Sequence, residues 1–146
     1  MRKKILVIHG PNLNLLGERE PEFYGKTSLE SINKKMSDIA EKNNIVLEIY
    51  QTNYEGEIVE IIHKKRTWAD LIVINPAAYT HTSIAVRDAL LAVKIPVIEV
   101  HLSNIYSRES FRHKSMISDI ALGVISGFGE ESYFMALDAA KKIIFT

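Results

Sequence analysis

Short, continuously apolar runs alternate along the chain with stretches whose apolar residues recur every three or four positions. Ile5-Leu6-Val7-Ile8 and Leu71-Ile-Val-Ile74 have no polar side to show and read as strands buried on both faces. Ile45–Tyr50, Pro96–Val100 and Ile120–Ser126 read as the second, fourth and fifth strands. Between them lie helical patterns. Thr27-Ser-Leu-Glu30 has the form of a capping box, with Thr27 predicted as N-cap, ahead of Leu29, Ile32, Met36, Ile39 and Ala40. Ile58, Val59, Ile61 and Ile62 mark a second helix running to about Trp68, and Ser83–Val93 a third. Gly127 and Gly129 open a last helix whose Tyr133, Ala136, Leu137, Ala140 and Ile143 are expected to face inward. Strands that alternate with helices and are apolar throughout predict an α/β domain, a parallel sheet wrapped by helices. One domain, residues 1–146, is expected.

In such folds ligands sit beyond the carboxyl ends of the strands, and the polar residues of this chain gather there. Asn12 follows the first strand, Asn75 and His81 the third, and Glu99, His101 and Ser103 close the fourth. The loop after the first strand is long. About eighteen residues separate His9 from Thr27, where strand-to-helix loops take ~2–6. Gly17 and Gly25 bracket a segment read as a lid that carries Arg19 and Tyr24.

Several of these residues suit acid–base chemistry. A guanidinium such as Arg19 near the Tyr24 phenol lowers its pKa from ~10 toward working pH, making tyrosinate an available general base. Glu99 and His101 are two apart on a strand and so share a face, where the carboxylate fixes the imidazole tautomer and makes it a better acid. Glu-x-His with His81 nearby also admits a metal site, though the spacing matches no short metal motif. Arg108 and Arg112 lie on one face if their segment is helical, and would suit an anionic substrate. Gly127-Phe-Gly129 is a weak echo of a phosphate loop.

Charge and composition narrow the classes. Eighteen basic and eighteen acidic residues give no net charge, against a nucleic-acid or anionic-membrane partner. The absence of cysteine excludes thiolate catalysis, disulfides and cysteine metal sites. The apolar run behind Met1-Arg-Lys-Lys is too short for a signal peptide, and no run reaches the ~18 residues of a membrane span. A soluble, cytoplasmic protein is expected.

Taken together the motifs resemble type II 3-dehydroquinate dehydratase. The matching pieces are I-H-G-P-N-L-N-L-L-G-E-R at Ile8–Arg19, Tyr24-Gly25, Q-T-N-Y-E-G at Gln51–Gly56, N-P-A-A-Y-T-H-T-S-I-A-V-R-D-A-L at Asn75–Leu90, E-V-H-L-S-N-I at Glu99–Ile105 and F-R-H at Phe111–His113. Tyr106-Ser107 departs from the His-Ala common in the family. The resemblance implies a flavodoxin-like three-layer sandwich, a homododecamer built as a tetramer of trimers, and dehydration of 3-dehydroquinate in the shikimate pathway to chorismate and the aromatic amino acids. It implies Tyr24 as proton acceptor, Arg19 as transition-state stabiliser, Asn12 as enolate stabiliser and His101, supported by Glu99, as proton donor. Asn75, His81, Leu102, Ser103 and Arg112 would bind substrate, and Asp88 would reach a neighbouring subunit's site. No metal, cofactor or lysine imine is expected. The rival from another class is a flavodoxin-like binding or electron-transfer module, but the loop after the first strand lacks a Ser/Thr-rich phosphate cradle.

Overall fold

The computed structural model describes residues 2–18, 22 and 27–146. The predicted lid residues Arg19 and Tyr24 lie outside the described residues. Five parallel strands, β1 (Lys3–His9), β2 (Ile45–Gln51), β3 (Leu71–Asn75), β4 (Val97–His101) and β5 (Gly123–Ser126), lie in the order β2-β1-β3-β4-β5. Among the described residues four α-helices cover the sheet: α1 (Leu29–Lys42), α2 (Glu55–Lys64), α3 (Ile84–Val93) and α4 (Glu131–Ile144). This is the three-layer arrangement and strand order of flavodoxin-like folds.

Side-chain alternation along the strands builds two cores. Ile5, Val7, Leu71, Val73, Ile98 and Val100 bury against α1 and α4, through Ile32, Met36, Tyr133, Ala136 and Leu137. Leu6, Ile8, Ile72, Ile74 and Val97 bury against α2 and α3, through Ile58, Ile62, Val86 and Leu90. Central strands covered on both faces must be apolar at every position, which is why β1 and β3 read as unbroken runs.

Five details differ from the sequence expectations. The helix expected to run to about Trp68, α2, ends at Lys64, where Lys65 caps it. The N-cap of α1 is Ser28, whose hydroxyl accepts from the Ser31 amide at 3.1 Å, so the cap sits one residue beyond Thr27. The strand expected at Ile120–Ser126 begins only at Gly123. The Ile120 and Ala121 amides instead donate to the carbonyl of Ile117, which is itself buried in the core, and Leu122 is the first residue to bond toward β4, through the Val97 carbonyl. Ile143 is 39% exposed, while Ile144 beside it packs on the core. The Gly127–Gly129 loop turns its amides inward, Gly127 to the His101 carbonyl and Gly129 to that of Leu102, so those donors are not available to a phosphate.

The loop leaving β1 is held against the one leaving β3. The Gly10 amide donates to the Asn75 carbonyl at 2.8 Å, and a Cβ on Gly10 would stand 2.3 Å from the Pro76 carbonyl oxygen. No side chain fits there without moving backbone. Gly10→Ala is therefore expected to destabilise by about 1–3 kcal/mol. Gly56→Ala in α2, where an added Cβ meets nothing within 4 Å, should stabilise by about 0.5–1 kcal/mol. Urea midpoints for the two variants at unchanged m check the pair.

Candidate active site

A cleft of about 120 Å³, open to solvent, lies beyond the carboxyl ends of β1, β3 and β4. Asn12, Asn75, His81, His101, Leu102, Ser103 and Arg112 all line it, together with Arg108, Pro11, Leu13, Ala77, Ala78 and Ile105. Seven of the sequence-predicted residues thus converge on one surface. Glu99 lies behind His101 and does not line the cleft, and Asp88 sits exposed on α3, away from it.

Asn12 has left-handed backbone (φ 69°), and its amide donates to Asn53 Oδ1 at 3.0 Å. Gln51 Nε2 donates to both Asn53 Oδ1 and the Gly10 carbonyl at 3.2 Å. Tyr79 Oη donates to the Asn53 carbonyl at 2.9 Å. The Gln51–Asn53 stretch at the carboxyl end of β2 therefore staples the loop that presents Asn12, a role that no periodicity announces.

His101 Nε2 donates to Glu99 Oε2 at 2.5 Å, which leaves Nδ1 to serve the cleft. Glu99 is fully buried, and three hydroxyls also reach its carboxylate: Thr80 at 2.9 Å, Ser115 at 3.0 Å and Ser118 at 2.5 Å. Burial pushes the Glu99 carboxyl up, but the imidazole and the Ser118 and Thr80 hydroxyls outweigh it and hold it below its ordinary value. Glu99 is accordingly an ionised partner that orients the His101 ring. Because those donors occupy its oxygens, a metal finds little room there, and among the described residues no three His, Asp or Glu are grouped to hold one.

His81 Nδ1–H donates to the Lys114 carbonyl at 2.8 Å, turning Nε2 toward the cleft. Burial lowers its pKa, against the opposing pull of that carbonyl. Arg108 and Arg112 do not share a helix face: the chain makes two short 3-10 turns, Ile105–Ser107 and Ser110–Arg112, with Arg108 extended between them. Both guanidiniums nonetheless reach the cleft, and Arg112 Nε donates to Glu109 at 3.0 Å. Tyr106 is 67% exposed and does not line it, so the Tyr106-Ser107 departure leaves the described walls intact. No lysine is among the described residues that line the cleft.

Under the cleft floor His9 is fully buried, with Nδ1 2.9 Å from Tyr133 Oη and Nε2 2.8 Å from Asn33 Oδ1. Burial drives its pKa from 6.5 down to about 4, so the ring is neutral at pH 7. Tyr133, equally buried, is pushed up and stays a phenol.

The family model described as dehydroquinase class II matches residues 3–141. A protein of Acinetobacter baylyi named 3-dehydroquinate dehydratase is 60% identical over 141 residues, covering 96% of this chain and 95% of that one. The crystal structure of type II dehydroquinase from Butyrivibrio crossotus superposes with a TM-score of 0.93 at 46% identity, covering 94% of this chain and 97% of that one. That of Propionibacterium acnes gives 0.92 at 40% identity, covering 97% and 98%.

The buried histidine gives a pH prediction. Its folded pKa lies below its unfolded one, so the unfolded chain takes up the proton first. The stability is whole above about pH 6.5 and falls as pH drops toward 4, by about 3 kcal/mol in total. Urea melts across that range should show a flatter slope for His9→Gln than for the wild type.

Proposed function

Because this chain belongs to the class II dehydroquinase family, we propose that it catalyses the reversible dehydration of 3-dehydroquinate to 3-dehydroshikimate and water. The observation that carries the reading is the convergence in one cleft of an imidazole backed by a buried carboxylate, two amides and two guanidiniums. That set suits a polyhydroxylated carboxylate that must lose a hydroxyl.

On this reading the Tyr24 phenolate, its pKa lowered by Arg19, removes a proton from the carbon α to the ketone. The electron pair moves onto the ketone oxygen as an enolate, which Asn12 stabilises. The enolate pair then re-forms the ketone and makes the ring C=C as the C–O bond breaks, and His101, oriented by Glu99, protonates the departing hydroxyl, which leaves as water in an anti elimination. Asn75, His81, Leu102, Ser103 and Arg112 bind the substrate's hydroxyls and carboxylate. No lysine imine, metal or organic cofactor enters. The step belongs to the shikimate route to aromatic amino acids, in the cytoplasm.

We further propose that the working form is a homododecamer, a tetramer of trimers, in which Asp88 completes a neighbour's site. Exposed Leu122, Val124 and Phe128, along and beyond the edge strand β5, give such an assembly an apolar face to cover. Mixing Asp88→Ala with Tyr24→Phe subunits should restore activity if Asp88 acts in trans; no recovery despite proven exchange places it within its own subunit.

The direct test adds purified protein to 3-dehydroquinate and follows the enone absorbance of the product. Absence of product from well-folded oligomer rejects the reading. Tyr24→Phe should lower kcat by at least roughly 10²–10⁴ while substrate still binds. Arg19→Ala should recover part of its rate in alkali, where an unassisted phenol with pKa ~10 ionises, and Tyr24→Phe should not. A Tyr24→Phe enzyme with near-wild-type kcat removes Tyr24 from the role of base.

A further inference from the structure

His9 and Asn75 are register partners at the ends of β1 and β3, and both side chains meet Tyr133 of α4 under the cleft floor. The hydrogen bonds there form one chain whose direction follows from a single fixed point. The Ala77 amide, 3.0 Å from Asn75 Oδ1, can only donate. Asn75 Oδ1 is therefore the acceptor on that side, and Nδ2 lies toward Tyr133, donating to its hydroxyl oxygen at 2.9 Å. The Tyr133 hydroxyl keeps one proton to give. Tyr133 is fully buried, and among the described residues the other neighbour bonded to its oxygen is His9 Nδ1 at 2.9 Å. Nδ1 must then be bare, and the neutral ring carries its proton on Nε2, donating to Asn33 Oδ1 at 2.8 Å. A ring that burial keeps neutral meets that requirement.

We propose that Tyr133, His9 and Asn33 are positioning residues that lock the Asn75 amide in one of its two flips, so that it offers the cleft an N–H donor and binds an acceptor oxygen of the ligand. The amide group has two N–H bonds. One is spent on Tyr133, and the second is the one available to the cleft that Asn75 lines. The Asn75–Ala77 bond also holds Ala77 in a left-handed conformation (φ 53°), which a residue with a Cβ adopts at a cost. The turn that carries the amide is thus built around its orientation.

The inference rests on the reading of Asn75 as a substrate-binding residue, and the test separates the two. Wild type is first shown to form the enone from 3-dehydroquinate. Tyr133→Phe then removes one hydroxyl at almost constant volume. Losing a positioned neutral hydrogen bond should raise KM about three- to ten-fold, with kcat changed less than about twofold. In an Asn75→Ala background the same substitution should add nothing, because it acts through the amide. A merely structural role would instead give additive losses, and that result overturns the proposal, as does an unchanged KM. If Tyr133→Phe does not fold, Asn33→Ala at the half-buried outer end carries the same cycle, with the same direction expected. Nitrogen NMR of histidine-labelled wild type tests the tautomer without any variant or any activity. A bare Nδ1 on His9 near pH 7 is expected, and a protonated Nδ1 overturns the assignment.

Discussion

Placing an ionised carboxylate at the end of a central strand, out of reach of water, is the constraint that most of the site obeys. A buried charge is tolerated only where donors replace its hydration. Glu99 finds them in Thr80 after β3, in Ser115 and Ser118 ahead of β5, and in His101 on its own strand. Satisfying one side chain therefore ties three separate segments to one point. The same segments are then clamped again, by the Met116 amide on the Thr80 carbonyl, by His81 on the Lys114 carbonyl, and by Arg87 on the Met116 carbonyl. The His101 ring inherits its orientation from that assembly.

The sheet's alternation gives the cleft two independent supports. Glu99 and His101 point to the α2–α3 side of β4, where the hydroxyls gather. His9 and Asn75 point to the α1–α4 side of β1 and β3, where Tyr133 waits. Each layer thus ends in a polar network whose central groups, Glu99 on one side and His9 and Tyr133 on the other, are fully buried. Inside a low-dielectric interior such networks are rigid when every member is satisfied. One network holds the His101 imidazole, and the other holds the Asn75 amide. The glycine at position 10 lets the two strand ends lie close enough for both to border the same cleft.

Where reading the sequence went astray, tertiary contacts overrode local pattern. Ile120–Leu122 has the composition of a strand, but burying Ile117 and holding Ser115 and Ser118 against Glu99 commits the preceding residues to turns, so β5 starts late. Thr27 and Ser28 both suit a cap by type, Ser somewhat better, and it is the extended Ser28 whose hydroxyl accepts from the Ser31 amide. The arginines reach the cleft through two 3-10 turns rather than along a helix, because Asn104 caps the first of them at the end of β4.

By itself the sequence determined the layered α/β class, since strands covered on both faces leave no choice but continuous apolar runs, and helices between them carry a 3.6 period. It also determined which strand ends carry polar groups, because Asn12, Asn75, Glu99 and His101 interrupt or end those runs. The Glu99–His101 pairing was legible too, since a spacing of two fixes a shared face. What only the tertiary structure decided is who holds these groups. Thr80, Ser115 and Ser118 look like ordinary hydroxyl residues of loops, and Tyr133 like core. Their partners lie 19, 16, 19 and 58 positions away in the chain. No local period encodes separations of that size, and the hydrogen bonds exist only once the sheet has brought the strand ends together.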